Sequence, residues 1–386
     1  MSDPRRLAVA LVGLCAFLQL YTPQSLLPLF ATEFGAGHAA VSLTVSATTL
    51  AVALVAPFAG ALADRIGRRR VIVAAIFILV LPTALIATAG SLDAILFWRF
   101  LQGLLLPPIF AVAVAYIGEE WPANEVASVL GVYTAGSALG GFLGRLISGF
   151  AADHAGWRAA YLVLAGIELV GALVAARYLP SERHFVPMSG LANALRTMVR
   201  HVANPRLVVT FGIGFAILFT FVALFTYVSF HLAAPPYSLS SAALGSIFVV
   251  YLFGVIVTPW SGRLVLRWGR RKLAVLAIAL WCASIALTLA PGLPLILVGL
   301  ALAAACGFVC QTLSQGFLTT VATTGRSSAI GLYVTIYYIG GSAGALLPAP
   351  AYAAFGWPGC VVLVIGVLAL MAAAVMMVWG PDRPAV

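Results

Sequence analysis

The sequence predicts an all-α membrane protein of twelve transmembrane helices in two pseudo-symmetric six-helix halves, and three observations predict it. Of the 386 residues 63% are hydrophobic and only 8% charged, with a mean hydropathy of +1.09. That balance leaves too little polar surface to cover a water-soluble core. The apolar residues gather into twelve runs of about 20, the length that crosses a hydrocarbon layer as a helix. The last six runs repeat landmarks of the first six at a nearly constant offset.

The runs of the first half fall at 7–30, 41–62, 71–89, 92–118, 127–150 and 157–178, and those of the second at 206–231, 241–264, 273–290, 293–319, 328–352 and 357–379. They are longer and more continuously apolar than the alternating segments of about 10 residues that build a membrane barrel. Helices are therefore expected. The first run follows a short stretch, Met1 to Arg6, and exceeds a signal-peptide core, so it is expected to be an uncleaved first span. Between the halves, "PSERHFVPMSGLANALRTMVRHVANPR" is rich in polar and basic residues. It is expected to be a linker containing a short amphipathic surface helix. The expected divisions are a first half at 1–178, a cytoplasmic linker at 179–205 and a second half at 206–386.

A formal charge of +10 would suit nucleic acid, but its placement excludes that partner. With the N-terminus in the cytoplasm, Arg65–Arg70, Arg177–Arg206, Arg263–Lys272, Arg326 and Arg383 all fall on that side, and Arg158 alone among basic residues lies in an outer loop. This is the positive-inside bias, and it predicts cytoplasmic N- and C-termini. The five cysteines, Cys15, Cys282, Cys306, Cys310 and Cys360, lie inside the runs, where a small thiol packs well. Cys306 and Cys310 are one turn apart, but no histidine or acid accompanies them, so packing is expected rather than a metal.

The repeat is carried by glycines and tryptophans. "GALADRIGRRR" from Gly60 and "GRLVLRWGRRK" from Gly262 align Leu62 with Leu264, Arg65 with Arg267 and Gly67 with Gly269. "GVYTAGSALGGFLG" from Gly131 and "GLYVTIYYIGGSAG" from Gly331 align Tyr133 with Tyr333, Gly140 and Gly141 with Gly340 and Gly341, and Gly144 with Gly344. Gly156–Trp157 then meets Gly356–Trp357. Parallel repeats of this kind build membrane transporters whose halves rock about a central site. Gly136, Gly140, Gly144 and Ser148 put small residues on one face of span 5 at four-residue spacing, which permits close backbone approach. The expectation is a smooth face along which the halves slide.

Over its whole length the sequence resembles the major facilitator superfamily. "GALADRIGRRR", with Gly60, Asp64, Arg65, Gly67 and Arg68, is similar to that family's signature for the turn between spans 2 and 3. "RFLQG", with Arg99, Gln102 and Gly103, is similar to its span-4 signature. "GSALGG", with Gly136, Gly140 and Gly141, resembles the span-5 motif associated with exporters, Ser137 standing where the pattern has proline. The resemblance implies that Asp64 latches onto a facing helix N-terminus, an arrangement the helix dipole favours. It places that partner at the start of span 11, near Ser328. The second copy has Leu266 in place of Asp64 and can make no charged latch. The resemblance further implies that Arg99 serves proton coupling and that spans 1, 4, 7 and 10 line a substrate cavity. Arg68 to Arg70 also read simply as topology anchors facing anionic lipid.

Ionisable residues within the spans reduce to Arg99, Arg145 and Glu168, and no acid occurs between Glu182 and Asp382. Such groups are costly in lipid and are functional or paired. Glu168 lies eleven residues into span 6, near mid-depth at about 1.5 Å per residue. It reads either as a proton site or as a partner of Arg145 on the neighbouring span. Arg99 and Arg145 also read as donors to a carboxylate or phosphate solute. On the cavity-lining spans the sequence offers Gln19, Tyr21, Gln24, Gln102, Thr220, Phe221, Phe225, Tyr227, Gln311, Ser314 and Gln315. This mostly neutral, aromatic set suits a semi-apolar solute. Of these, Tyr21, Gln24, Arg99, Gln102, Arg145, Phe221, Tyr227, Gln311 and Gln315 are the candidate substrate contacts. Glu168, Arg99 and Asp64 are the candidates for proton coupling.

A nucleotide-driven pump is excluded, because a phosphate-binding loop needs lysine followed by serine or threonine, and the only lysine, Lys272, precedes Leu273. No zinc-hydrolase pattern or nucleophile elbow appears, so no enzyme activity and no cofactor are expected. The expected partners are a small-molecule substrate, protons and the lipid bilayer, with no nucleic acid, for a monomer in a bacterial inner membrane. The resemblance to the drug and sugar efflux branch implies proton-coupled export of small amphipathic compounds. An organic-anion carrier using Arg99 and Arg145 is the alternative, and a receptor or lipid translocator on the same scaffold is a third.

Overall fold

Span 1 shows how the sequence shapes the helices. It begins at Pro4–Leu18, where the Asp3 side chain accepts the Arg5 N–H at 3.0 Å and proline occupies the first turn, which lacks a donor requirement. The helix then stops. Proline has no N–H, so Pro23 leaves the Gln19 carbonyl, four residues earlier, without its helical donor. A 3-10 turn, Thr22–Ser25, follows, and a short helix, Leu27–Glu33, completes the span. The uninterrupted first run read from the sequence is thus broken near its middle.

The computed structural model describes residues 3–182 and 198–379. The described secondary structure is helical, without strands. Span 2 is His38–Ile66, span 3 Arg68–Ile86 and span 4 Leu92–Glu120. Helix Ala123–Tyr178 bends at Gly156, whose φ of 84° suits glycine, giving span 5 at 123–155 and span 6 at 157–178. Span 7 is Pro205–Ala233. Span 8 runs over Ser241–Trp268 with 3-10 turns at Phe248–Val250 and Thr258–Trp260. Span 9 is Arg270–Leu287 and span 10 Leu293–Val321. Span 11 begins with Arg326–Leu346 and continues into Pro348–Val378, which bends at Gly356 to give span 12 at 357–378. Nine helices among the described residues are long and apolar enough to cross a membrane. Outward residues such as Leu81, Val170, Val362 and Leu370 are exposed apolar side chains, as lipid contact requires.

The described residues form two compact units. The first holds 3–182 together with Ser238–Phe248, the opening of span 8; the second holds 198–237 and 249–379. The surface helix expected in the linker falls largely on 183–197, outside the described residues.

Each unit is closed by the same seam. In the first, a methyl group on Gly136, Gly140 or Gly144 would collide with the carbonyl oxygens of Ala10, Leu14 and Leu18 on span 1. In the second, Gly340 and Gly344 of span 11 press in the same way on Phe215 and Phe219 of span 7. The small-residue face of span 5 is therefore filled from within its own unit, correcting the expectation of a sliding face between halves. The reason is registry: span 1 supplies a carbonyl every fourth residue to match a glycine every fourth residue. Phe211 and Phe219 are buried, and Phe211 packs with Leu318, Ala322 and Tyr333.

Candidate functional site

Pro23 frees the Gln19 carbonyl, and the neighbouring 3-10 turn pairs Gln24 with Tyr21 instead of Leu20. Both released oxygens are taken by Arg99 of span 4. Its Nη1 donates to Gln19 O at 2.6 Å and its Nη2 to Leu20 O at 2.8 Å. Nε donates to Thr44 O of span 2 at 3.0 Å, and Nη1 also reaches Gln102 Oε1 at 2.7 Å. Gln102 Nε2 in turn donates to Thr83 Oγ1 of span 3 at 2.8 Å. Arg99 and Gln102 are fully buried, so a planar fork with five donors is matched by a fixed set of acceptors.

Glu168 of span 6 lies beside this network. Its carboxyl group is fully buried next to Thr83 and Gln19 and within electrostatic reach of Arg99. Neither neighbour completes a hydrogen bond of ordinary geometry. Both Glu168 oxygens, and both atoms of the Gln19 amide, have no hydrogen-bond partner among the described residues. The buried Tyr161 hydroxyl has no hydrogen-bond partner among the described residues either and lies within electrostatic reach of Arg99.

Arg145 forms a second centre beyond the break in span 1. Its Nε donates to Gln24 Oε1 at 2.8 Å and its Nη1 to Gly141 O. The guanidinium lies over the Tyr21 ring at 4.9 Å and the Phe248 ring at 4.4 Å, a cation–π sandwich. Ser25 and Ser148 hydroxyls meet at 3.0 Å close by. No Arg145–Glu168 ion pair forms among the described residues. The broken stretch of span 1 separates them, Gln24 engaging the arginine and Gln19 flanking the acid.

At the opposite end of the unit, Gly67 turns the chain with φ 106°, and Asp64 accepts from Arg68 Nη2 at 2.9 Å. Arg68 also pairs with Glu119. Glu182 accepts the main-chain N–H groups of Arg68 and Arg69, the latter at 3.2 Å. A carboxylate thus caps the positive end of span 3. Gly67 is required here by its φ, which other residues rarely adopt; a methyl would also sit 2.6 Å from the movable tip of Glu182. Arg69 donates to Leu179 O at 2.8 Å and Ala176 O at 2.6 Å, which gives it a structural task beyond topology. Gly60 and Arg65 are exposed. In the second copy Leu266 is 86% exposed.

The second unit places Phe221 in an aromatic cluster with Tyr251 at 5.7 Å, Trp281 at 5.5 Å and Phe308 at 5.4 Å between ring centroids. Tyr227 is buried and its hydroxyl donates to Ala345 O at 2.8 Å. On span 10 Gln311 is half-buried and Gln315 exposed. The structure thus brings together Tyr21, Gln24 and Arg145, and separately Arg99, Gln102 and Glu168. Sequence reasoning missed Thr83, Tyr161 and Glu182. Tyr161 was findable, since it precedes Glu168 by seven residues and so shares its helix face.

Long apolar helices with buried polar centres and outward apolar faces, among the described residues, mark a multi-pass membrane protein. The chain belongs to the Major Facilitator Superfamily, whose model matches residues 9–257 and 232–386. It is 32% identical to the inner membrane transport protein YnfM of Escherichia coli over 92% of this chain and 85% of that protein. It is 31% identical to the multidrug resistance protein MdtG of Salmonella arizonae over 48% of this chain and 46% of that one. A bacterial homologue of the human lysosomal transporter Spinster shares the fold with a TM-score of 0.72, at 18% identity, over 98% of this chain and 95% of the other.

Proposed function

We propose that this chain is a proton-coupled exporter of small amphipathic organic compounds, working by alternating access in a bacterial inner membrane with both termini cytoplasmic. Glu168 carries the reading. It is the one acid among the fully buried residues described, its oxygens are unpartnered, and Arg99 stands near to balance its charge. A carboxyl group that can exist in both states without tearing apart an ion pair suits a proton carrier. The inner-membrane transport named for YnfM and the multidrug resistance named for MdtG support this reading. Asp64 is assigned to the conformational cycle, as a latch released from Arg68.

The solute site in this reading includes Tyr21, Gln24 and Arg145 in the first unit. A second reading, an organic-anion carrier, is favoured by one observation: the buried Arg145 guanidinium, a planar fork suited to a carboxylate, is set between the Tyr21 and Phe248 rings beside Gln24. Arg99 contributes less to that reading, because its donors already face four acceptors.

The test uses proteoliposomes with an internal pH dye, an imposed proton gradient and a panel of organic cations, neutral amphiphiles, sugars and carboxylates. A solute-evoked pH change abolished by Glu168→Gln is expected. Uptake of a labelled carboxylate that ignores the gradient and is lost in Arg145→Ala would overturn the export reading in favour of the anion carrier.

A further inference from the structure

Three features meet at Gln19. Its amide is fully buried with neither Nε2 nor Oε1 partnered among the described residues. The Glu168 carboxyl beside it is in the same condition. Its main-chain oxygen, released by Pro23, holds Arg99 at 2.6 Å. Buried polar groups are almost always paired, so two adjacent unpaired groups of complementary chemistry call for a common explanation. A primary amide can serve a carboxyl group in either protonation state, since its N–H donates to a carboxylate and its oxygen accepts from a carboxylic acid.

We propose that Gln19 is the positioning residue that reads the protonation state of Glu168. Rotation of its amide exchanges an N–H donated to the carboxylate for an acceptor offered to the acid. The change passes along the break in span 1 to Tyr21 and Gln24 at the Arg145 centre. The proposal rests on the proton-site reading of Glu168 given above. The proton reaches Glu168 from the aqueous phase and returns there; Gln19 neither gains nor loses one.

The groups around Glu168 are Cys15 and Gln19 on span 1, Thr83 on span 3 and Arg99 on span 4; Tyr161, on its own span, is within electrostatic reach of Arg99. Thr83 is engaged, donating to Leu79 O at 2.8 Å while accepting from Gln102. Arg99 cannot swing towards the acid without releasing three carbonyls on two spans. Gln19 is the neighbour whose side chain can turn without breaking a bond. Because its own carbonyl is anchored to Arg99, a strain on its side chain is delivered to the non-helical stretch that follows, where Tyr21 and Gln24 lie two and five residues on.

The experiment is infrared difference spectroscopy of the full chain in liposomes, titrated through pH, with glutamine carrying carbon-13 in its side-chain carbonyl. A carboxylic-acid band lost in Glu168→Gln reports Glu168. A labelled amide band that moves with the same midpoint and vanishes in Gln19→Met is the expected result. In Gln19→Met the carboxylic-acid band should shift to higher frequency and its midpoint move by at least threefold in proton affinity, about half a pH unit. A titrating Glu168 band with no accompanying movement of any labelled amide would overturn the proposal and leave the proton-site reading standing. Absence of any Glu168-dependent band would overturn both. The labelled wild-type chain decides the matter even if Gln19→Met fails to fold.

Discussion

A guanidinium held by main-chain oxygens depends on geometry more than on charge. Arg99 meets Gln19 O, Leu20 O, Thr44 O and Gln102 Oε1 between 2.6 and 3.0 Å, and a lysine at the same place is a point charge with three donors that cannot span four such acceptors. Each hydrogen bond to a charged group contributes about 1.5–3 kcal/mol. Arg99→Lys should therefore destabilise by roughly 2 kcal/mol, and Arg99→Ala, which also strips the countercharge from Glu168, by roughly 3–5 kcal/mol. Thermal unfolding in detergent reads both, and a lysine variant as stable as the parent would contradict the cage. The sequence motif located Arg99 but not its partners, because carbonyl oxygens have no letter of their own. Pro23, four residues after Gln19, was the one written sign that an oxygen there was free. Glu168 and Arg145 were recognisable as buried ionisable residues for the same reason they are rare, yet their separation depends on a break inside an apolar run that hydropathy cannot register.

At the scale of elements, adjacent glycines on span 5 have opposite tasks. A methyl on Gly140 meets the Leu14 backbone, which cannot move aside, whereas one on Gly141 meets only the tip of the Arg145 side chain at 3.7 Å, an ordinary contact. Gly140→Ala should cost about 1–3 kcal/mol through overpacking, and Gly340→Ala, against the Phe215 backbone, about as much. Gly141→Ala should be within about 0.5 kcal/mol of neutral, helped by the better helix propensity of alanine. Melting temperatures of the three variants test the seam, and equal losses at Gly140 and Gly141 would refute it. The four-residue glycine spacing was legible from the sequence, as was its repetition 200 residues later, Gly140 against Gly340. What the glycines press on was not, since a small-residue face fits any smooth helix and only tertiary registry selects span 1. The bends at Gly156 and Gly356 were legible as the boundaries between runs, and the 3-10 interruptions of span 8 were hidden within one.

Across the whole molecule the two halves share their seams and bends but not their chemistry. Among the described residues of the first unit, Arg99, Arg145 and Glu168 are the fully or nearly fully buried charged ones, and no acid lies between Glu182 and Asp382. The repeat therefore supplies a mechanical frame, and the first half holds the described buried ionisable groups. A carrier with a single acid that titrates inside the membrane can take up one proton per cycle. For a neutral solute exchanged against that proton, each pH unit across the membrane represents about 1.4 kcal/mol and sets a solute gradient of about tenfold at balance; two protons would set about a hundredfold. Exchange of one proton for a neutral solute also moves net charge, so a membrane potential alone should drive it. We expect a static solute ratio that follows the pH difference with unit slope, collapses in Glu168→Gln, and responds to a potassium diffusion potential with pH clamped. Measured in proteoliposomes with a transported amphiphile from the panel, a slope near two would require a second titrating group, and the absence of buried acids from the second half would direct the search back to Asp64 and its neighbours in the first.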